Sequence, residues 1–265
     1  MTRPGSNSDL LAGLEDTCAR FGALLAGLDE AGWAAQVPAC PGWSVGDLVS
    51  HIAEGEVVAL ACAQGRAPAG LPTTEVDRWT AAQVAAHSGE APEQRRQAWE
   101  AGGDALRWHL AGLDETGWRA RTVWVAGPLT VASLAQLRLQ ETWLHGRDVA
   151  EAVGATWAAD PAAVAWMADL AARVVPGNLS RFGRPRPGAV IRLRLDPAGE
   201  WLVGGAAGER PADGSRPDLE IEADALEFVL LSAGRRREPP WTAGTTAWGD
   251  LTLAADLVAT ALTVG

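Results

Sequence analysis

The segment Glu141-Thr142-Trp143-Leu144-His145-Gly146-Arg147-Asp148 decides the fold and the chemistry predicted for this chain. It lies within a long helical pattern, Val131 to Val153, for which Thr130 is a suitable N-terminal cap. Positions i and i+4 share one face of a helix, so the side chains of Glu141 and His145 can point at a single atom. The segment therefore predicts a helix that offers a carboxylate and an imidazole to one ligand.

A second segment, far away in the chain, supplies a third group. Cys40-Pro41-Gly42-Trp43-Ser44 is followed by Asp47 and His51. Ser44 can cap the helix that starts here, and Asp47 suits its positive N-terminal end, which places His51 in the second turn. Two imidazoles and one carboxylate on a divalent metal leave a coordination position open, as catalytic sites require. We predict that His51 joins the Glu-His pair in a metal site.

The first two thirds of the chain show mainly the helical period. Helices are predicted at Ser8–Leu28, Ser44–Gln64, Thr74–His87, Pro92–Leu113 and Val131–Val153. Four of them are long, and four long amphipathic helices with short connections are expected to pack as a bundle. No internal repeat is expected.

The pattern changes after about Asn178. Arg181–Gly188 is rich in Arg, Gly and Pro and is predicted to be a linker. Beyond it, strands are predicted at Ala189–Asp196, Trp201–Val203 and Leu219–Glu222, and helices at Ala223–Ala233 and Asp250–Leu262. The predicted fold class is α+β, with a helical metal-binding domain over residues 1–178 and a small α+β domain over residues 189–265.

Composition limits the possible partners. The formal net charge of −11 argues against a nucleic-acid binder and against adhesion to an acidic membrane surface. The chain has 22 arginines and no lysine, so an anionic ligand must be recognised by arginine or by backbone amides. Three cysteines without a CxxC pair do not indicate a disulfide framework. Without a signal-like or membrane-spanning run, a cytoplasmic monomer or homodimer is expected.

The two segments together resemble the two signatures of the mycothiol-dependent maleylpyruvate isomerase family. The resemblance extends to the order of a helical half and an α+β half. It implies a DinB-like four-helix bundle in which His51, Glu141 and His145 are the metal ligands and zinc is the usual ion. It also implies a small-molecule thiol cosubstrate such as mycothiol and a small electrophilic substrate.

The chemistry implied by this resemblance depends on the open metal position. A free thiol with a pKa near ~8.5 is only slightly ionised at neutral pH, and coordination to a divalent cation deprotonates it. In the isomerase reaction a thiolate adds to a conjugated cis double bond, the new single bond rotates, and elimination gives the trans isomer. In an S-transferase the adduct would be released. The three ligands cannot distinguish these two reactions.

Other residues are candidates for supporting roles. Asp47 and Asp148 could each accept an imidazole proton, although helix capping is the simpler role for Asp47. Arg235, at the end of the Ala223–Ala233 helix, resembles a Gly-Arg element of the family and could bind a substrate carboxylate. Its neighbours Arg236 and Arg237, or Arg147 beside His145, could do so instead, or the arginines could be a solvated charge run. Cys40 has no histidine close in sequence and is a weak candidate nucleophile.

Two other interpretations remain open at this stage. A metal-binding regulatory or sensor protein of the same fold would keep the three ligands without turnover. A purely structural bundle would use its histidines as ordinary core or surface residues, since a Glu-x3-His pair is also a common helix-surface contact. Metal content separates the last interpretation from the others.

Overall fold

The computed structural model describes residues 4–72, 75–125, 127–235 and 245–260. Its chain divides into two compact units, one spanning Gly5–Ala158 and the other beginning at Ala159. The first unit contains α1 (Asn7–Ala26), α2 (Glu30–Ala34), α3 (Val45–Ala63), α4 (Val76–Ala86), α5 (Pro92–Ala111), α6 (Glu115–Arg119), β1 (Arg121–Trp124), β2 (Gly127–Thr130) and α7 (Val131–Val153).

Local capping signals determine where the two site-bearing helices begin. The Ser44 side chain accepts a hydrogen bond from the backbone N–H of Asp47, and the Asp47 carboxylate accepts one from the backbone N–H of Ser44. This reciprocal capping box starts α3. In α7 the Thr130 hydroxyl accepts from the N–H of Ser133, and Gly154 ends the helix with φ of 68°. Gly adopts this left-handed conformation without a steric penalty, so both ends of α7 fall where the sequence predicts them.

The four long helices of the first unit form the predicted bundle. α3 packs against α5 and α7, and α1 packs against the same two helices, so the order around the bundle is α1, α7, α3, α5. Their buried faces supply an apolar core of mainly leucine, valine and aromatic side chains, including Leu10, Leu14, Phe21, Leu48, Ile52, Trp99, Leu106, Leu134, Leu139 and Trp143. This core holds α3 and α7 side by side and thereby determines the distance between their polar residues.

The first unit contains an internal repeat, contrary to the expectation from sequence. Residues 26–33 read AGLDEAGW and residues 111–118 read AGLDETGW. In both copies an Asp caps a single helical turn by accepting from a Gly N–H, which gives α2 and α6, and the Trp is buried. A short reversal of the chain then leads into α3 or α7, and the N–H of Val45 and of Val131 bonds back to Ala35 and Ala120 respectively. The order α1–α2–α3 therefore corresponds to α5–α6–α7.

The second unit is a small α+β domain with one additional helix. It contains α8 (Pro161–Arg181), β3 (Val190–Asp196), β4 (Gly199–Gly204), β5 (Leu219–Asp224), α9 (Ala225–Ser232), β6 (Thr246–Gly249) and α10 (Leu251–Ala259). The strand order is β4-β3-β5-β6, with β3 and β5 parallel and the other neighbours antiparallel. The predicted strands and helices are present here, and β6 is an edge strand that the sequence analysis does not predict.

The division between the units falls about a helix earlier than the predicted boundary at residue 178. The reason is α8, which packs against α9 and β4. The indole Nε1 of the buried Trp201 in β4 donates to Oδ1 of Asp169 in α8 at 2.9 Å, so this helix is tied to the sheet. The basic segment after α8 is also held in place by ion pairs, because Arg184 and Arg186 both pair with Asp256 of α10.

Candidate metal site

The three predicted ligands converge between α3 and α7. Nε2 of His51 lies 3.7 Å from Oε2 of Glu141, and Nε2 of His145 lies 3.4 Å from the same oxygen. One ligand atom from each residue lies within 4.8 Å of those of the other two. Helix spacing explains half of this arrangement, since Glu141 and His145 are one turn apart on α7. The packing of α3 against α7 supplies the other half by bringing in His51.

These distances suit a metal better than a hydrogen-bonded cluster. The N–H···O hydrogen bonds of proteins span about 2.7–3.2 Å between heavy atoms, which is shorter than either separation. Ligand atoms bound at about 2.0–2.1 Å to one tetrahedral ion lie about 3.3–3.4 Å apart. Within the described part of the chain, Oε1 of Glu141 is buried without a hydrogen-bond partner. The donor set, its spacing and this buried oxygen all fit a divalent cation.

The electrostatics of the three groups differ. Burial alone would raise the pKa of Glu141, but its contacts with His145 and His51 and the charge of Arg138 outweigh burial and hold that pKa well below its usual range. Burial lowers the pKa of His51, although Glu141 opposes the shift. Burial would also lower the pKa of His145, yet Asp148, Cys40 and Glu141 together raise it well above its ordinary value. The neighbouring groups thus favour the ionised form of Glu141 and the protonated form of His145, whereas burial favours the neutral form of His51.

Asp148 contacts one of the predicted ligands, whereas Asp47 caps a helix. Oδ2 of the fully buried Asp148 lies 3.1 Å from Nδ1 of His145. A carboxylate that accepts from Nδ1–H leaves Nε2 of the same ring directed toward the metal position. Asp47 caps α3 and lies 3.3 Å from Nη1 of Arg95. Arg147, the other neighbour considered, is half-buried and lies 3.4 Å from Glu151.

The loop before α3 contributes two further side chains to the site. It is held by backbone hydrogen bonds from Val37 N–H to the Trp43 carbonyl (2.9 Å) and from Trp43 N–H to the Cys40 carbonyl (3.0 Å). The Trp43 ring packs on the His51 ring with centroids 5.2 Å apart. The Cys40 thiol, a ring nitrogen of His145 and a carboxylate oxygen of Asp148 lie within 4.8 Å of one another. Cys40 therefore has a histidine neighbour that its sequence position does not indicate.

A buried ion pair adjoins the three predicted ligands. Arg138 precedes Glu141 by three residues on α7, and its Nη2 lies 3.2 Å from Oε1 of Glu56 on α3, with both side chains only 2% exposed. The same guanidinium donates to the Ile52 carbonyl at 3.4 Å. It occupies the space above Gly55, where any Cβ would lie 2.7 Å from Nη1. The sequence analysis does not identify Arg138, and its i−3 spacing from Glu141 is the signal that could have found it.

A second glycine explains part of the α7 motif. Gly146 follows His145 directly, and a Cβ built on it would lie 2.4 Å from the Trp157 ring. The Trp157 side chain also packs edge-on against Phe21 and Trp143. The small residue after His145 is therefore required by the packing of this aromatic cluster against α7.

The arginine predicted for substrate binding belongs to the second unit. Arg235 follows α9, and its Nη1 donates to the Ala233 carbonyl at 2.8 Å. Its role as a carboxylate ligand stays a prediction. Arg236 and Arg237 lie outside the described residues.

The chain is thus a helical bundle that directs two histidines and a glutamate, residue types suited to a divalent metal, at one point. The family can be named more closely. Residues 14–150 match the model of the mycothiol maleylpyruvate isomerase N-terminal domain, and the chain belongs to this family. The match includes all three predicted ligands and the loop with Cys40, which confirms the resemblance noted from the sequence.

Two curated relatives match about half of the chain. Two uncharacterized proteins of Mycobacterium tuberculosis, from strains CDC 1551 and H37Rv, are each 32% identical to the chain over 140 residues. The aligned region covers 50% of this chain and 51% of theirs, so the chain spans about half the length of the curated relatives it matches.

Two solved structures share the fold over nearly the whole chain. One is the crystal structure of the mycothiol-dependent maleylpyruvate isomerase, with a TM-score of 0.62 and 18% identity. The other is a histidine-to-alanine mutant of that enzyme, with a TM-score of 0.63 and 17% identity. Each comparison covers 93% of this chain and 95% of the solved one. The likeness confirms the predicted fold class, a helical bundle followed by an α+β domain. Among the described residues, no helix is long and apolar enough to cross a membrane.

Proposed function

We propose that this protein is a metal- and thiol-dependent enzyme that acts on a small electrophile, with isomerisation of a conjugated cis double bond as the first reaction to test. The observation that carries the proposal is the convergence of Nε2 of His51 and Nε2 of His145 on Oε2 of Glu141. The two distances, 3.7 and 3.4 Å, are longer than a hydrogen bond and close to the roughly 3.3–3.4 Å between the ligands of a tetrahedral ion. Family membership supports the thiol, and mycothiol is the thiol named for the solved relative.

The residues present suit zinc, and each of them would have a separate role. When bound, a divalent ion would act as a Lewis acid that stabilises a thiolate at neutral pH. His51 and His145 would hold it through Nε2, Glu141 would reduce its charge, and Asp148 would keep the His145 ring in the required tautomer. Imidazole and carboxylate also accept other divalent ions, so zinc is the expected but not the required metal.

Solvent access to the site favours binding of a cosubstrate. Glu141 and His145 are almost fully buried, whereas the His51 side chain is 19% exposed. The exposed edge of the site therefore lies on the His51 side, beside Trp43 and the loop before α3. We infer that a small thiol approaches from this side, where an aromatic face is available to its apolar part.

The reaction type is the least constrained part of the proposal. An isomerase and an S-transferase need the same activated thiol. In the isomerase the thiol is eliminated from the adduct to give the trans product, whereas in the transferase the adduct itself is released. A maleylpyruvate-like substrate also carries carboxylates, for which Arg235 is the proposed partner because an arginine can bind a carboxylate in a bidentate pair. A non-catalytic metal sensor is the alternative, and absence of thiol-dependent turnover in a metal-loaded protein would favour it.

Metal analysis tests the first half of the proposal. Untagged protein is dialysed against zinc, and its metal content is measured for wild type and for His51→Ala, Glu141→Ala and His145→Ala. About one ion per chain in wild type and little in each variant is expected, because each change removes a ligand from an incomplete shell. His87→Ala and His109→Ala remove the other two histidines of the chain and serve as matched controls that retain the metal. Equal metal content in all six proteins contradicts the site.

A reaction screen tests the second half. Metal-loaded protein is incubated with mycothiol or another small thiol and with a panel of cis-configured unsaturated dicarbonyl acids, and products are identified by mass and by chromatography. Isomerisation leaves the substrate mass unchanged, whereas S-transfer adds the mass of the thiol. Turnover that needs both the thiol and an intact His51 supports the enzyme. Arg235→Met should raise KM for carboxylate-bearing substrates far more than for their esters, since only the acids can use the guanidinium.

A further inference from the structure

The guanidinium of Arg138 lies one helical turn from the predicted ligands on both of the helices that carry them. Arg138 precedes Glu141 by three residues on α7. On α3 its guanidinium fills the space above Gly55, four residues after His51, where an added Cβ would lie 2.7 Å from Nη1, 2.9 Å from Nη2 and 3.0 Å from Cζ. The guanidinium is therefore packed between α3 and α7, next to the predicted ligand set.

Two contacts join the Arg138 side chain to α3. Its Nη2 lies 3.2 Å from Oε1 of Glu56, and it donates at 3.4 Å to the carbonyl of Ile52, the residue directly after His51. Both charged side chains are only 2% exposed, so water screens their attraction weakly. Arg138 thus connects α7 to the part of α3 that begins one residue after His51.

Stability alone does not account for this buried pair. Replacing a buried ion pair by well-packed apolar residues is often neutral or stabilising, because burial costs both charges their hydration. Within the described part of the chain, Nε of Arg138 is also buried without a hydrogen-bond partner, which adds to the cost. The planar guanidinium does supply something that apolar side chains lack, because it bonds only in fixed directions. Those directions restrain the separation and the rotation of α3 relative to α7.

We propose that Arg138 is a positioning residue that holds His51 on α3 at the distance from Glu141 and His145 on α7 that metal binding requires. The inference deepens the proposed function and rests on it. Position and charge make opposite predictions here. A cation repels a divalent ion nearby, so a role through charge alone means that loss of Arg138 strengthens metal binding. A role through position means that loss of Arg138 weakens it.

Zinc affinity of the full-length protein, measured by competition with a chromogenic chelator, tests the inference. Arg138→Lys keeps the charge but loses the planar fork that bonds Ile52 and Glu56 together. The double variant that combines Arg138→Met with Glu56→Gln removes both buried charges and leaves neither of them unpaired. Both proteins should bind zinc about 10–100-fold more weakly than wild type, the loss typical when a residue that supports metal ligands is replaced.

Three further variants separate position from a general loss of stability. Gly55→Ala displaces the guanidinium without changing any charge and should also weaken zinc binding, whereas Gly46→Ala on the same helix should bind zinc like wild type. Leu110→Ala opens a cavity in α5, which carries none of the predicted ligands, and should lower stability without changing zinc affinity. The absorption bands of bound cobalt depend on ligand geometry. They should shift in Arg138→Lys and Gly55→Ala and stay unchanged in Leu110→Ala.

Two outcomes would overturn the inference. One is zinc binding as strong as that of wild type, or stronger, in Arg138→Lys or in the double variant. The other is an equal loss of affinity in Leu110→Ala, since any loss of stability would then be sufficient. The zinc content of wild type is measured first. A wild type that binds no zinc contradicts the proposed function and this inference with it, whereas zinc binding that is unaffected by Arg138→Lys contradicts the positioning role alone.

Discussion

Oδ2 of Asp148 lies 3.1 Å from Nδ1 of His145, and both side chains are almost completely buried. The two residues are three positions apart on α7, so the helix itself brings them together. Because an ionised carboxylate can only accept a hydrogen bond, Nδ1 carries the proton and Nε2 is the nitrogen available to a metal. This contact makes Asp148 a positioning residue for the predicted ligand set.

Replacing Asp148 should weaken metal binding without removing the site. Asp148→Asn keeps the shape of the side chain but removes the charge that supports the imidazole. Zinc affinity measured by competition with a chelator should fall about 10–100-fold, while one ion per chain should still bind at saturating zinc. Asp104→Asn changes an exposed carboxylate on α5 and should leave affinity unchanged. Wild-type zinc affinity in Asp148→Asn would show that Asp148 does not support the metal site.

Metal uptake should release protons. Contacts with Asp148, Cys40 and Glu141 raise the pKa of His145 well above its ordinary value despite its burial, so we expect this imidazole to be protonated at neutral pH in the metal-free protein. The pKa of His51 is lowered, so that ring is already neutral. A metal needs the lone pair of Nε2, and binding at pH 7 should therefore release about one proton. Calorimetry in buffers of different ionisation enthalpy measures this number, and affinity should rise with pH until His145 is neutral. Binding enthalpies that do not depend on the buffer would contradict the prediction.

Gly55→Ala should destabilise the bundle even though alanine favours a helix. The added Cβ would lie 2.7 Å from Nη1 of Arg138, which cannot swing away because it is buried and paired with Glu56. Overpacking of this kind typically costs about 1–3 kcal/mol in the free energy of unfolding, measured here by urea denaturation. Gly46→Ala on the same helix is the matched control. Its nearest neighbour atom would be 3.5 Å away, so it should be neutral or stabilising by up to about 1 kcal/mol.

The Arg138–Glu56 pair should show strong coupling in a double-mutant cycle. Arg138→Met leaves the Glu56 carboxylate buried without its cation, and such a loss typically costs about 3–5 kcal/mol. Glu56→Gln likewise leaves the Arg138 guanidinium buried without its anion. The double variant removes both charges and should cost clearly less than the two single changes together. Urea denaturation of the metal-free proteins measures all four corners of the cycle, and additive costs would show that the two charges do not stabilise each other.

A separate histidine should make stability depend on pH. Glu90 and Glu54 lie 2.8 and 2.9 Å from the His87 ring nitrogens, and Glu90 makes the larger contribution to raising the pKa of His87. A histidine whose pKa is raised by folding stabilises the protein at pH values below its unfolded pKa, which is near ~6.5. This stabilisation is lost as the pH rises through the pKa of the folded state. His87→Gln should therefore cost up to about 1 kcal/mol at pH 6 and almost nothing at pH 9, by urea denaturation of the metal-free protein. A cost that is equal at both pH values would contradict the assignment.

Sequence reasoning was most successful where the signals are local. Thr130 and Gly154 mark the two ends of α7, and Ser44 with Asp47 marks the start of α3, because caps act within one turn of the helix. It was less successful with short elements. The one-turn helices α2 and α6 carry too few residues to show a period, although the AGLDEAGW and AGLDETGW segments would have revealed the internal repeat. The division of the chain after Ala158 reflects the attachment of α8 to β4, which depends on a contact between Asp169 and Trp201 that no local pattern shows.

The sequence by itself determined which residues share a helix face, because the helical period is a property of the backbone: Arg138, Glu141, His145 and Asp148 follow at intervals of three or four residues. Only the tertiary structure decided which residues of different segments come into contact. The packing of α3 on α7 brings His51 to Glu141, the turn before α3 places Cys40 beside His145, and Gly55 opens the space through which Arg138 reaches Glu56. Such contacts join residues tens of positions apart, and their distances depend on how the whole core packs, which no local pattern encodes.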